Sequence, residues 1–229
     1  MAFSFTGIVY FFGLLVMVVF TYRMAKLYQK QKTNFAKFFF YGLLSLLINL
    51  LIITVISLFF SNSALLLKTA VIVSILLQSL GFIVIAKAFF PLIFPESSFR
   101  LFEIILFLFT LLAMILYFQS MRTPFLDFSG FINWNVPVSV GIIRLLIFIV
   151  SACFSLSLLF REVKSEIEKV RKKSIILIVL AVGGIICFLS FFVIFRTSGM
   201  SEAFVIIFFV FIIGILTFLG REETNRFQR

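Results

Sequence analysis

The stretch that most constrains the fold runs from Val138 to Phe195 and holds two long apolar segments around a charged connector. The first segment, 138–160, carries only Arg144 as a charge, and the second, 174–195, carries none. Each is long enough to cross a bilayer core of about 30 Å at about 1.5 Å of helix per residue. The connector Arg161–Ser174 is too polar to enter that core. The pattern therefore predicts two antiparallel membrane spans joined on one side.

The rest of the chain repeats this pattern, which predicts an all-α, polytopic integral membrane protein. The chain is 63% hydrophobic and 13% charged, with a mean hydropathy of +1.25. A soluble protein has about 45–50% apolar and about 25% charged residues. We expect a single domain over residues 1–229 that crosses the cell membrane with seven transmembrane helices. The predicted spans are residues 3–22, 38–60, 65–90, 101–118, 138–160, 174–195 and 203–219.

The basic residues predict the orientation of these spans. Loops on the side of Arg161–Ser174, with the C-terminal tail, hold 15 Lys and Arg, whereas the other side holds 3. Because cytoplasmic loops carry the excess of Lys and Arg, we expect the N-terminus outside and the C-terminus in the cytoplasm. The net charge of +11 lies in these short loops. The lipid bilayer is therefore the expected partner of these charges, and nucleic acid is not.

Histidine is missing from the sequence. This excludes His-ligated haem, zinc and copper, and it excludes Ser–His and Cys–His nucleophile pairs. The two cysteines, Cys153 and Cys187, lie in predicted spans and follow no metal-binding or disulfide pattern. The spans also hold few acidic residues for acid–base chemistry. We therefore predict that the protein is not an enzyme and has no cofactor, no metal site and no catalytic residue.

Polar side chains within the predicted spans are the candidate functional residues, because an ionisable group in a bilayer costs about 2.5–3.5 kcal/mol. Lys87 and Glu103 are expected at similar depth on neighbouring helices, as a structural ion pair or, alternatively, as a cation or proton site. Asn49 and Gln78 fall near the midplane. Amide side chains there form hydrogen bonds between helices, so we expect a structural clasp, with a ligand contact as the alternative.

Arg144 is the fifth candidate and is expected about two turns below the outer surface. A long basic side chain at that depth reaches outward to the interface or pairs with an acidic residue of an outer loop. The available acidic residues are Asp127 and Glu202. An outward-facing anion site is the functional alternative.

The longest predicted connector, 119–137, alternates aromatic and polar residues. Its aromatic residues recur at every third position, at Phe125, Phe128, Phe131 and Trp134. This spacing predicts a short amphipathic segment on the outer leaflet, with the tryptophan in an interfacial aromatic belt. A lid or a docking surface is the alternative for the same segment.

The connector Arg161–Ser174 contains apolar residues at helical spacing, and Glu168 and Lys172 are spaced to form an i, i+4 pair. The apolar residues are Val163, Ile167 and Val170. We therefore expect the fifth span to continue as a helical stalk into the cytoplasm, with this stripe docking a protein partner. An ordinary solvated helix end is the alternative.

Three segments stand out within the seven-span layout with the N-terminus outside: FTYRMAKLYQKQK after the first span, SLGFIVIAKAFF in the third and FREVKSEIEKVRKKS before the sixth. With this layout they resemble the small seven-helix sensory membrane regions at the front of bacterial and archaeal histidine kinases and cyclases. The resemblance implies a sensory module. Those regions feed a cytoplasmic output domain, whereas this chain ends at Arg229. The resemblance therefore implies that the output passes to a separate protein.

Three functions remain open from the sequence. A sensory or scaffold module that acts through protein partners is favoured. The first alternative is a small-solute transporter, since spans one to three and five to seven give a three-plus-one-plus-three layout. The second alternative is an accessory subunit of a larger membrane complex. A hydrated midplane site bounded by Asn49 and Gln78 would favour the transporter.

Overall fold

The computed structural model describes residues 4–94, 98–164 and 166–189, and in these ranges the chain is almost entirely helical. The described helices are α1 Phe5–Gln31, α2 Asn34–Phe59, α3 Ala64–Ile93, α4 Arg100–Gln119, α5 Val138–Val163 and α6 Glu168–Leu189. Five of these, α1 to α5, are long and apolar enough to cross a membrane. This confirms the expected helical membrane protein. The predicted seventh span and the end of the sixth lie outside the described residues.

The helices alternate in direction, which gives the bundle two ends. We call the end where α1 begins the hairpin end, because a β-hairpin packs there between α4 and α5. Its strands are β1 Phe125–Leu126 and β2 Ile132–Asn133, paired antiparallel. The end where α1 stops is the opposite end.

The loop between the first two helices is shorter than the basic segment in the sequence suggests. Helix α1 continues through it to Gln31, and α2 begins at Asn34. Lys32 takes a left-handed conformation with φ 51°, which stops α1. The Thr33 side chain then accepts the Ala36 N–H at 3.2 Å and caps α2. The basic side chains therefore extend from a helix end and a tight turn.

Helix α3 is the centre of the bundle and packs against α2, α4 and α5. Half of its most apolar segment is buried, compared with 22% for α4. Pro91 does not end α3, which runs two residues further to Ile93. Large apolar side chains on α1 and α4 remain exposed, including Phe12 and Leu101. A continuous exposed apolar surface of this kind is suited to lipid.

The apolar core has two parts. The part at the hairpin end joins Tyr10, Val71, Tyr117 and Trp134 with neighbouring aliphatic side chains. The part toward the opposite end surrounds Phe90. Its ring lies 5.1–5.6 Å from the rings of Phe94, Phe99, Phe102 and Phe154.

The hairpin caps the N-terminus of α1. The Phe5 N–H donates to the Gly130 carbonyl at 2.9 Å, and the Ile132 N–H donates to Thr6 Oγ1 at 2.8 Å. Ser4 Oγ accepts the Gly7 N–H at 3.0 Å and donates to the Ser57 carbonyl at 2.7 Å. The first N–H groups of a helix lack partners within it. The hairpin and Ser4 supply some of those partners, which ties α1, α2 and the hairpin together.

The aromatic residues of the predicted amphipathic segment do not share one face, and the predicted belt position is wrong for Trp134. The segment turns back on itself because Gly130 has φ 81° and Asp127 Oδ1 accepts the Ser129 and Phe131 N–H groups, at 3.0 and 2.9 Å. The aromatic residues consequently have different environments. Phe128 is fully exposed and Phe125 about half-exposed, whereas Phe131 stacks on Phe5 at 5.6 Å. Trp134 is buried in the core instead of lying in a surface belt.

The continuous stalk predicted after the fifth span is also wrong. Helix α5 ends at Val163, the chain turns at Lys164, and α6 starts at Glu168. The apolar stripe is therefore divided. Val163 ends α5, Ile167 is 63% exposed before α6, and Val170 lies in α6. The turn replaces the stalk because antiparallel spans this close in sequence must reverse direction within the connector.

The ion pair predicted in the same connector is confirmed. Lys172 Nζ lies 2.7 Å from Glu168 Oε1, one turn apart on α6. The hydrogen bond and the positive charge of Lys172 lower the pKa of Glu168 from its usual value. Both side chains are solvent-exposed, so the pair helps to begin α6 without anchoring the bundle.

Replacing Thr6 by valine is expected to weaken the attachment of the hairpin. The substitution keeps the shape of the side chain but leaves the buried Ile132 N–H without its acceptor, which costs about 1–3 kcal/mol. Thr69→Val is the matched control, because Thr69 Oγ1 is exposed and bonds only the Leu65 carbonyl of its own helix. Thermal unfolding of the two purified variants compares them. Equal midpoints would contradict a stabilising role for the hairpin.

Candidate functional site: a cavity around Arg144

Arg144, in the second turn of α5, is the one buried cation among the residues that the structure describes. Its side chain is only 7% exposed. Its Nη2 donates to Ser74 Oγ on α3 at 3.0 Å and, by a short contact, to Gln78 Oε1 one turn further along α3. Arg144 therefore crosses the α3–α5 interface.

The structure contradicts two of the expectations for Arg144. The side chain does not reach outward, because it is held inside the bundle by α3. It also does not pair with Asp127, whose Oδ1 accepts three hydrogen bonds within the hairpin turn. The other expected partner, Glu202, lies outside the described residues.

A small cavity lies beside Arg144 at the hairpin end, with a volume of about 30 Å³. A single water needs about 10–15 Å³ by this measure, so the space holds more than one atom-sized guest. The walls come from α1, α2, α3, α5 and the segment after β2. The lining residues are Tyr10, Ile53, Val71, Ser74, Trp134, Val136 and Arg144.

Two further hydrogen-bond donors are buried near the guanidinium. The Trp134 side chain lines the cavity and is 7% exposed, and its Nε1 has no acceptor among the described residues. The Tyr117 hydroxyl at the end of α4 is also buried without a described partner. It lies close enough to Arg144 for an electrostatic interaction. Such groups are rare in native proteins because each costs about 1–3 kcal/mol unless something fills the role of acceptor.

The described acidic side chains lie elsewhere in the fold. Glu103 accepts a hydrogen bond from Lys87 near the opposite end, and Asp127 accepts hydrogen bonds within the hairpin turn. Glu162, near the end of α5, is 18 residues from Arg144, or about 27 Å along a helix. Ser74 and Gln78 each accept a hydrogen bond from Nη2, and these two bonds hold the guanidinium against α3.

The two midplane amides do not form a clasp with each other. Gln78 does bond between helices, as expected for an amide in a span, but to Arg144. Asn49 is buried on α2, and its Oδ1 has no donor within the described part of the chain. The two residues that were expected to act together therefore have separate environments.

The prediction that Lys87 and Glu103 lie within reach is confirmed. Lys87 Nζ donates to both carboxylate oxygens of Glu103, at 3.0 and 2.8 Å, between α3 and α4. The ammonium also lies 5.4 Å from the centroid of the Phe38 ring. The side chains are 33% and 41% exposed, and each charge has its counter-charge. This geometry fits a structural ion pair better than a cation or proton site.

A double-mutant cycle on Lys87 and Glu103 is expected to give a coupling energy below about 1 kcal/mol, because the partly exposed pair is screened. The variants are Lys87→Gln, Glu103→Gln and the double substitution, compared by unfolding in detergent. A coupling of several kcal/mol would contradict a mainly structural, partly solvated pair.

Sequence reasoning identified Arg144 and Gln78 but missed Ser74 and the inward position of Trp134. A usable signal was present for Ser74. It lies four residues before Gln78, so the two polar side chains share one face of an otherwise apolar α3. Nothing comparable marked Trp134, because its burial depends on a turn at Gly130 that reverses the chain.

The long apolar helices and the buried polar cavity define a multi-span α-helical membrane protein. Comparison with known protein families, characterised proteins and solved structures finds no match to this chain.

Proposed function

We propose that the chain is a non-catalytic sensory module of the cell membrane that works through a protein partner. It binds a small solute in the Arg144 cavity at the hairpin end and does not carry it across the bilayer. The observation that carries the proposal is the cavity itself, whose walls come from four helices and the segment after β2. A solute there touches α5 near its start, and α5 leads to the connector at the opposite end.

The proposal includes seven spans, with the N-terminus outside and the C-terminus in the cytoplasm. The split of 15 to 3 basic residues between the two sides supports it. In this orientation the hairpin and the cavity face the outside, and the connector between α5 and α6 faces the cytoplasm. A solute bound on one side could then alter the surface offered on the other.

Transport is the second candidate and has less support. A carrier needs a polar site near the midplane that opens to each side in turn. The polar cavity is near one end, and Gln78 is bonded to Arg144. The backbones of α2 and α3 also approach closely, which leaves no space for a solute between them at this point, since a Cβ on Gly42 would lie 2.9 Å from the Gly81 carbonyl oxygen.

Affinity purification of the full chain in mild detergent tests the partner. We expect a stoichiometric companion protein that is lost in Ile167→Ser, because Ile167 is an exposed apolar side chain of the α5–α6 connector. Phe128→Ser is the matched control, since it removes an exposed apolar side chain at the hairpin end. A chain that purifies alone from its native membrane would contradict the proposal. A partner that stays bound but never responds to solute would favour the accessory subunit.

A further inference from the structure

We infer that the cavity lined by Trp134 binds a small neutral carbonyl compound, of the size of acetaldehyde or acetone. This ligand class rests on the proposed function, in which the same cavity is the ligand site, and it adds the chemistry of the solute. Three features of the cavity carry it: the buried indole N–H of Trp134, the hydroxyl of Ser74 and a small wall that is otherwise largely apolar.

The Trp134 side chain needs a hydrogen-bond acceptor. It is only 7% exposed, and its Nε1 has no acceptor among the described residues. Buried donors in native proteins nearly always have a partner, either in the protein or in a bound molecule. Because the same side chain lines the cavity, an oxygen atom of a guest there can accept from the indole N–H.

Ser74 supplies a second donor to the same space. Its Oγ accepts from Arg144 Nη2 at 3.0 Å, and a hydroxyl that accepts one hydrogen bond still has a proton to donate. Ser74 lies on α3 and Trp134 follows β2, so the two donors belong to different elements of the wall. A carbonyl oxygen has two lone pairs and can therefore accept from both.

The rest of the wall limits the size and polarity of the guest. Ile53, Val71 and Val136 present only hydrocarbon side chains, which suit the hydrogen or methyl substituents of a small carbonyl compound. The volume of about 30 Å³ has room for about two waters, and hence for a guest of roughly two to four heavy atoms. Sugars, nucleotides and most amino acids are too large.

A neutral guest without a donor of its own fits this wall best. A charged solute would lose its hydration in the bundle and would need its own counter-charge there. A carbonyl needs only donors, which Trp134 and Ser74 provide, so its binding makes no use of the charge of Arg144. An alcohol brings a further O–H, for which the hydrocarbon part of the wall has no acceptor.

The tryptophan reports on the proposed hydrogen bond directly. Trp134 is the single tryptophan in the sequence, so the full chain labelled with ¹⁵N-tryptophan gives one indole N–H resonance in detergent. Titration with acetone is expected to move this resonance saturably, with the proton shifted downfield, because the N–H gains an acceptor.

Three further probes are matched to acetone in shape. Isobutene replaces the oxygen by a methylene group, isopropanol adds an O–H donor, and acetate carries a negative charge. We expect no downfield shift with isobutene or acetate. Isopropanol should bind about 5- to 100-fold more weakly than acetone, the loss expected for a buried donor without an acceptor.

Variants assign the shift to the cavity. Val71→Leu adds a methylene group to the wall and should weaken acetone binding about 10-fold or more, because a closely packed site has no space to spare. Val55→Leu is the matched control, since it makes the same change at an exposed position of α2 and should leave the affinity unchanged. Ser74→Ala adds no bulk and should weaken binding about 2- to 10-fold through the loss of one neutral hydrogen bond. If Val71→Leu does not fold, Ser74→Ala and the probe series decide.

Each outcome decides the ligand class. Equal responses to acetone and isobutene would overturn the acceptor and leave an apolar solute site. A downfield shift with acetate would overturn a neutral ligand, and isopropanol bound as tightly as acetone would overturn the carbonyl. A resonance that no probe moves, or a shift that survives Val71→Leu, would overturn the inference as a whole. The proposed function fails separately, because a chain that binds acetone but purifies without a partner protein would support the ligand class and contradict the sensory module.

Discussion

Replacing Gly42 by valine is expected to separate α2 from α3 and to cause one of the largest losses of stability in this protein. A Cβ on Gly42 would lie 2.5 Å from Ile85 Cγ1 and 2.9 Å from the carbonyl oxygen of Gly81. The carbonyl belongs to the backbone of α3 and cannot turn away. Overpacking of this kind costs about 1–3 kcal/mol, and a β-branched side chain adds to it. Membrane helices approach closely where such small residues face each other.

Thermal unfolding in detergent, followed by helical circular dichroism, measures this loss. Leu108→Val on α4 is the control, because Leu108 is exposed on the lipid-facing side of the bundle. We expect its midpoint to remain near that of the native chain, while Gly42→Val falls by several degrees or fails to fold. A Gly42→Val protein with the native midpoint would show that α2 and α3 are further apart than the structure places them.

Replacing Arg144 by glutamate is expected to have the second large effect. The substitution puts a carboxylate opposite Gln78 Oε1 and next to the buried Ser74, where a cation is now held. An uncompensated charge in the interior costs about 3–5 kcal/mol, so we expect little folded protein. Lys68→Glu reverses a charge at the same end but in a half-buried position and should be tolerated far better.

The yield of monodisperse protein after solubilisation, together with its unfolding midpoint, distinguishes these variants. Arg144→Glu should lose most of its folded fraction, whereas Lys68→Glu should retain it. If both variants behave alike, the position of Arg144 inside the bundle is wrong. The comparison needs no ligand, so it tests the buried position of Arg144 independently of the proposed function.

Local patterns in the sequence predicted the helices and one tertiary contact. Long apolar runs mark α1 to α5 because a bilayer demands continuous helix, and this requirement overrides local preferences. The Lys87–Glu103 contact followed from depth alone, because a short turn joins the two antiparallel helices. Where depth and helix order determine proximity, sequence reasoning was sufficient.

The site depended on rotation and chain reversal, which the sequence specifies less directly. The position of Arg144 along the fifth span predicted a depth near the outer surface. Whether its side chain faces solvent or Ser74 depends on the rotation of α5 about its axis, which the depth does not determine. The aromatic spacing of the hairpin suggested a short amphipathic segment on the outer leaflet, whereas Asp127 and Gly130 form a turn that brings Trp134 inward. The turn at Gly130, with its positive φ, therefore determines the local structure more than the three-residue spacing of the aromatic side chains does.

Affinity purification of the full chain from its native membrane in mild detergent tests the central claim most directly. The native chain is compared with Ile167→Ser and Phe128→Ser, each of which removes one exposed apolar side chain. We predict that the native chain and Phe128→Ser retain a stoichiometric companion protein and that Ile167→Ser loses it. A native chain that purifies without a companion would contradict a sensory module that works through a protein partner.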